Sequence, residues 1–236
     1  MNKDVQVNPN LEILIPIADA LGELRELLVF VGGCATGLLV TTQRAQIMRP
    51  TKDVDVVVQV ATLAEYHAME KAVKARGFKH DISQDAPICR WVRNGVMLDL
   101  MPSEAGILGF HNYWYPLACR TASRVNLTEN MEINLIAAPV FIATKLEAFH
   151  DRGKADYLAS HDLEDLITVI DGRAELIQEI RLADDELKNY LSAEMTKLLS
   201  DRAFQLAMPG HLPSDAASQA RLPELMHRIR TIAQLN

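Results

Sequence analysis

A mixed α/β chain of the α+β kind is expected: a small mixed β-sheet flanked by helices, then a helical C-terminal region. Three observations predict it. Short apolar runs alternate with helix-period segments up to about residue 138. An Asn94-Gly95 pair joins two of the apolar runs, which is a strong hairpin signal. From Pro139 onward, apolar residues recur at helical spacing and no further strand-like run appears. The expected division is therefore an α/β core over residues 1–138 and a helical region over 139–236.

Residues 11–28 carry Leu14, Ile17, Ala18, Leu21, Leu24 and Leu28 at helical spacing and predict a first helix. Val29–Val31 reads as a buried strand, stopped by Gly32-Gly33, where backbone can approach a ligand closely. A helix is expected over Ala35–Gln46. Asp53–Val60 begins by alternating and then becomes almost wholly apolar, as a strand covered on both faces does. Ala61–Arg76 predicts a helix ended by Gly77. The hairpin strands are expected at Ile88–Val92 and Val96–Met101.

The stretch from Glu104 to Ser123 has no clear period; its aromatics Phe110, Tyr113, Trp114 and Tyr115 are read as packing residues and not as a base-stacking platform. Met131–Ile136 predicts a strand, and Pro139–His150 a helix opened by proline. Helices follow at Asp162–Ile170, with Ser160 as N-cap, and at Ala174–Arg181, Asp184–Leu199 and Leu222–Leu235. Ala207–Ala217 is read as a loop.

Composition narrows the class. The formal net charge of −7 argues against a broad phosphate-binding face. The densest basic segment, Lys71, Lys74, Arg76, Lys79 and His80, is either a local basic patch or a solvated helix face. No apolar run approaches the ~18 residues that span a bilayer, and the N-terminus lacks a signal peptide's apolar core, so a cytoplasmic location without membrane contact is expected. The three cysteines have no CxxC spacing and predict neither a disulfide framework nor a zinc site.

Chemistry concentrates in Val29–Val60. Asp53 and Asp55 stand two apart on a strand and so point to one face. With Asp99 on a strand of the same half, they offer carboxylate oxygens to one or two divalent cations. The glycine pair feeding a helix offers N–H groups to a triphosphate. Arg49 is either a phosphate clamp or a surface arginine.

Gly32-Gly33 followed by Arg49-Pro50-Thr51-Lys52-Asp53-Val54-Asp55 resembles the nucleotidyltransferase superfamily of DNA polymerase β type, and most resembles its AbiEii-type abortive-infection toxin branch. Thr144-Lys145-Leu146-Glu147-Ala148-Phe149 is similar to that branch's helical lysine motif, and His161-Asp162-Leu163-Glu164-Asp165-Leu166 to its downstream acidic motif. The resemblance covers residues 28–60 and 140–170. It implies that Asp53, Asp55 and Asp99 bind Mg²⁺ or Mn²⁺, with Asp99 also the general base. Gly32, Gly33, Arg49, Thr51 and Lys145 would meet the nucleotide, and Asp162, or alternatively Asp165, would polarise the catalytic centre.

The implied reaction moves an NMP from an NTP onto the hydroxyl of an acceptor, an RNA or tRNA end or a small molecule, and the implied partner is an antitoxin protein. The superfamily's commoner glycine motif is Gly-Ser, where this chain has Gly33-Cys34, and a thiol donates less well than a hydroxyl. The rival expectation is a catalytically silent module that binds nucleotide or a partner.

Overall fold

The computed structural model describes residues 8–42, 48–152 and 156–235. It is a mixed α/β protein in two compact units. One comprises Pro9–Ala35 and Pro50–Ala137; the other comprises Met1–Asn8, Thr36–Arg49 and Ala138–Asn236.

The first unit carries the sheet. Helix α1 (Leu11–Leu21) buries Leu14, Ile17, Ala18 and Leu21. It stops earlier than the period suggests, because Gly22 adopts φ 57° and the chain tightens into a 3₁₀ turn over Gly22–Leu27. A Cβ at Gly22 would also collide with the Arg76 guanidinium. Strand β1 (Leu28–Val31) is buried throughout. Helix α2 (Gly32–Leu39) then begins at the glycine pair itself, three residues earlier than expected, and ends at Leu39. Residues 43–46 of the expected Ala35–Gln46 helix lie outside the described residues.

Strand β2 (Asp53–Val58) alternates half-buried Asp53 and Asp55 with buried Val54 and Val56, then buries Val57 and Val58 as well. Helix α3 (Leu63–Ala75) starts with a capping box between Thr62 and Glu65, and Gly77 follows it at φ 86°. The Tyr66 hydroxyl donates to the Leu100 carbonyl at 2.8 Å, and burial pushes its pKa up. The basic residues of this segment are exposed, as a solvated face requires.

Edge strand β3 (Lys79–His80) precedes the hairpin β4 (Arg90–Arg93) and β5 (Val96–Pro102). Asn94 and Gly95 turn it with φ 51° and 80°, the left-handed pair that a type I′ turn demands.

Helix α4 (Tyr115–Thr121) and strand β6 (Ser123–Thr128) were not legible. The strand lies at the sheet edge with Leu127 alone of its residues buried, so its sequence carries no alternation of apolar residues. Of the aromatic cluster, Trp114 is buried while Phe110 and Tyr113 are exposed. Strand β7 (Met131–Leu135) completes a seven-stranded mixed sheet ordered β3-β4-β5-β2-β1-β7-β6 among the described residues. The β1–β2 pair is antiparallel, and β2–β5 and β1–β7 are parallel.

The second unit is helical. Helix α5 (Ala138–Arg152) has Pro139 in its first turn and is buried from Ala138 to Leu146. Ser160 caps α6 (His161–Gly172) by accepting from the Leu163 amide. Helices α7 (Leu176–Arg181), α8 (Asp185–Ser200), α9 (Arg202–Ala207), α10 (Ala216–Gln219) and α11 (Leu222–Ala233) follow. The expected loop over Ala207–Ala217 contains a 3₁₀ turn at Met208–His211. Leu146, Leu166, Ile170, Leu191, Met195 and Ile229 form the core where α5, α6, α8 and α11 meet. No helix among the described residues is long and apolar enough to cross a membrane.

Candidate active site

The register of β2 against β5 decides the geometry of the carboxylates. Asp55 pairs with Asp99 and Asp53 with Met97, so all three aspartates face the same side of the sheet. Adjacent strands stand about 4.8 Å apart, which brings Asp55 and Asp99 into one row. Strand β4 extends it, because Arg90 is the partner of Asp99.

Arg90 ties the row together. Its Nε donates to Asp99 Oδ1 at 2.7 Å and its Nη2 to Asp99 Oδ2 at 2.7 Å, a bidentate fork. The same Nη2 donates to Asp53 Oδ2 at 2.9 Å. The hydrogen bonds to Asp99 raise the Arg90 pKa further, against the pull of burial, so the guanidinium stays charged. Thr51 Oγ1 donates to Asp53 Oδ1 at 2.7 Å. Each carboxylate oxygen of Asp53 and Asp99 thus already accepts a hydrogen bond.

Gly32 and Asp55 are packed together. Gly32 has φ +64°, and a Cβ there would lie 1.9 Å from Asp55 Oδ2. Glycine is required twice, for the left-handed backbone and for the space the carboxylate fills. Asn10 links the glycine pair to the strand entrance: its Nδ2 donates to the Gly33 carbonyl at 3.2 Å and its Oδ1 accepts from the Thr51 amide at 2.9 Å. Cys34 is buried, its thiol donating to the Val31 carbonyl at 3.1 Å. Burial, reinforced by the Asp99 charge, pushes the Cys89 thiol up to about 12, which keeps it protonated and unreactive.

The helical unit holds its own charge cluster. Lys145 on α5 is buried, and its Nζ donates to Asp165 Oδ2 at 2.6 Å and Asp162 Oδ1 at 3.1 Å. Arg152 forks Asp162 through Nε and Nη2 at 2.9 and 3.0 Å, and Arg49 Nη2 reaches Asp165 at 3.3 Å. Burial opposes ionisation of Asp162, yet the Arg152 hydrogen bonds and the Lys145 charge outweigh it and hold its pKa below the usual carboxylate range. Asp162 and Asp165 therefore both meet Lys145, where the motif left a choice between them. His161 is exposed beside Glu164.

A scan against protein-family models finds no match, and a search of curated proteins finds none either. Solved structures are similar at low identity. An antigenic nucleotidyltransferase-like protein from Paracoccidioides brasiliensis is 21% identical, with 84% of this chain and 92% of that chain covered at a TM-score of 0.48. The antibiotic-resistance factor ANT(2'')-Ia is 12% identical, with 80% and 93% covered at a TM-score of 0.46. The structural neighbours include nucleotidyltransferase-like proteins.

Arg90 and Asn10 were not singled out from the sequence. The signal for Arg90 was present, since a two-residue Asn94-Gly95 turn sets Arg93 opposite Val96 and hence Arg90 opposite Asp99. The side-chain bonds of Asn10 to Gly33 and Thr51 join segments remote in sequence, so no local pattern points to them.

The donor chemistry of the row fits a hard divalent cation: carboxylate oxygens, on one face, beside a glycine-opened helix. Among the described residues no group of three or more ligating side chains is placed to hold an ion in the present side-chain arrangement. The Arg90 guanidinium stands against the oxygens that such an ion would use.

Proposed function

We propose that this chain is a metal-dependent nucleotidyltransferase, moving an NMP from an NTP onto an acceptor hydroxyl with release of pyrophosphate. The observation that carries the reading is the register of Asp55 against Asp99, with Asp53 on the same face and Gly32 packed on Asp55. Asp53, Asp55 and Asp99 are the residues that would hold Mg²⁺ or Mn²⁺, which when bound stabilises charge on the transferring phosphoryl oxygens. Asp99 is the group assigned to take the proton of the attacking hydroxyl. The amides at the start of α2 are assigned to the triphosphate, by the attraction of a helix N-terminus for anions.

The reading rests on the strand row. Lys145 and Asp162 are assigned to phosphate binding and polarisation by motif resemblance alone, and the Lys145 ammonium is shared between two aspartates. The same resemblance extends the proposal to an RNA-end acceptor and an antitoxin partner.

The test is incubation with each α-labelled NTP and total cellular RNA, alongside hydroxylated small molecules, with pyrophosphate release measured in parallel. Label transfer by the wild type and its loss in Asp55→Asn with an unchanged circular dichroism spectrum are expected. Undiminished transfer by Asp55→Asn would sink the reading.

One observation favours a second reading. With Arg90 already bridging Asp53 and Asp99, the row is internally neutralised in part, as in a module that binds nucleotide without turnover. Calorimetric binding of Mg²⁺-NTP with no pyrophosphate release across all acceptors would select it.

A further inference from the structure

We propose that Arg90 is the resident counter-cation of the Asp53–Asp55–Asp99 row, and that a divalent cation enters by taking carboxylate oxygens from its guanidinium. This rests on the metal-site reading above and goes beyond it by assigning Arg90 a positioning role.

Both oxygens of Asp99 accept from Arg90, and those of Asp53 accept from Thr51 and Arg90. A hard cation demands close, near-octahedral oxygen ligation. Each of these oxygens keeps a second lone pair, but a divalent ion on it faces the guanidinium charge across the same carboxylate, so ion and fork compete for Asp53 and Asp99.

Burial gives the arrangement its purpose. The Asp99 side chain is 9% exposed and that of Arg90 18%. A carboxylate so enclosed, lying in one row with Asp53 and Asp55, is costly without a positive partner. The planar fork of an arginine satisfies both Asp99 oxygens and reaches a second aspartate, which an ammonium cannot do from one position. The Arg90 fork is bonded to two of the three carboxylates, Asp99 and Asp53. The residue that neutralises Asp99 and reaches Asp53 is therefore also the residue with which a metal ion competes.

The decisive measurement is Mn²⁺ affinity, by calorimetry or by loss of the free-ion paramagnetic signal, on wild type, Arg90→Gln, Arg90→Lys, Lys52→Gln and Asp55→Asn. Lys52 is exposed next to Asp53 and controls for simple loss of positive charge. Arg90→Gln is expected to bind Mn²⁺ about tenfold more tightly than wild type, the effect of removing one charge-assisted contact. Arg90→Lys should fall between them, Lys52→Gln should stay within about threefold of wild type on screening grounds, and Asp55→Asn should lose binding. The same ion should raise the thermal midpoint of Arg90→Gln by more than that of wild type, which a purely structural arginine would not produce.

Equal or weaker binding by Arg90→Gln, or equal tightening by Lys52→Gln, overturns the role of Arg90 while Asp55-dependent binding leaves the metal site standing. Absence of Asp55-dependent binding in every variant overturns both. Should Arg90→Gln fail to fold, Arg90→Lys decides: tighter binding than wild type supports the exchange, and equal or weaker binding refutes it.

Discussion

The Asp55 carboxylate lies where a side chain on Gly32 would have to be, 1.9 Å from an ideal Cβ position. The first glycine of the pair is thus bound to the second aspartate of the Asp-Val-Asp motif by steric necessity. Gly32→Ala should displace Asp55 and strain a left-handed backbone, with a stability loss of about 1–3 kcal/mol. Urea midpoints and nucleotide transfer should both fall. A variant with wild-type transfer would show that Asp55 tolerates displacement.

Asn10 should matter for transfer more than for folding. It joins the Gly33 carbonyl to the Thr51 amide, and Thr51 in turn holds Asp53. Asn10→Ala removes one buried and one part-buried hydrogen bond, about 1–3 kcal/mol, and leaves Asp53 less fixed. The expected kinetic signature is a lowered kcat at saturating NTP, read by pyrophosphate release. An effect confined to thermal stability would assign Asn10 to structure alone.

Lys145 sits between two aspartates, so its removal leaves Asp162 to Arg152 and Asp165 to Arg49 without the buried ammonium. Lys145→Met is expected to cost about 3–5 kcal/mol, the usual result of breaking a buried ion pair from one side. Adding Asp165→Asn should return part of that loss. Chemical denaturation of the two single variants and the double variant measures the coupling, and strict additivity would place the residues in separate environments.

Asp162 makes the stability pH-dependent with a definite sign. Its folded pKa is depressed, so its contribution is fully present above the unfolded value of about 3.9 and is lost as pH falls through the folded value. Asp162→Asn should flatten the fall in denaturation midpoint below about pH 4. An identical acid profile in wild type and variant would contradict the Arg152 and Lys145 pairing.

Much of the strand unit was legible because its signals are local. The alternation in Asp53–Val58, Gly77 and the Asn94-Gly95 turn each act within a few residues of themselves. Contacts between remote segments were not. Nothing near Asn10 announces Thr51 or Gly33, and Lys145 reads as an ordinary helix lysine until α6 packs against α5. The end of α1 was misjudged for a related reason: Leu24 and Leu28 continue the apolar period, while the geometry is fixed by Gly22 and by Arg76, far along the chain. The edge strand β6 escaped notice because an exposed strand does not need the apolar alternation that betrays a buried one.

The two-residue turn at Asn94-Gly95 has a further consequence for how this protein can vary. Side chains on a strand alternate faces, so an inserted residue that enters the ladder, and is not absorbed in a three-residue loop, shifts the pairing of β4 by one and carries Arg90 to the opposite side of the sheet. Composition, burial of the valines and the Asp-Val-Asp motif would all survive such an insertion. The polarity of the row would not, so the length of this turn should be far less tolerant of change than its surface position suggests.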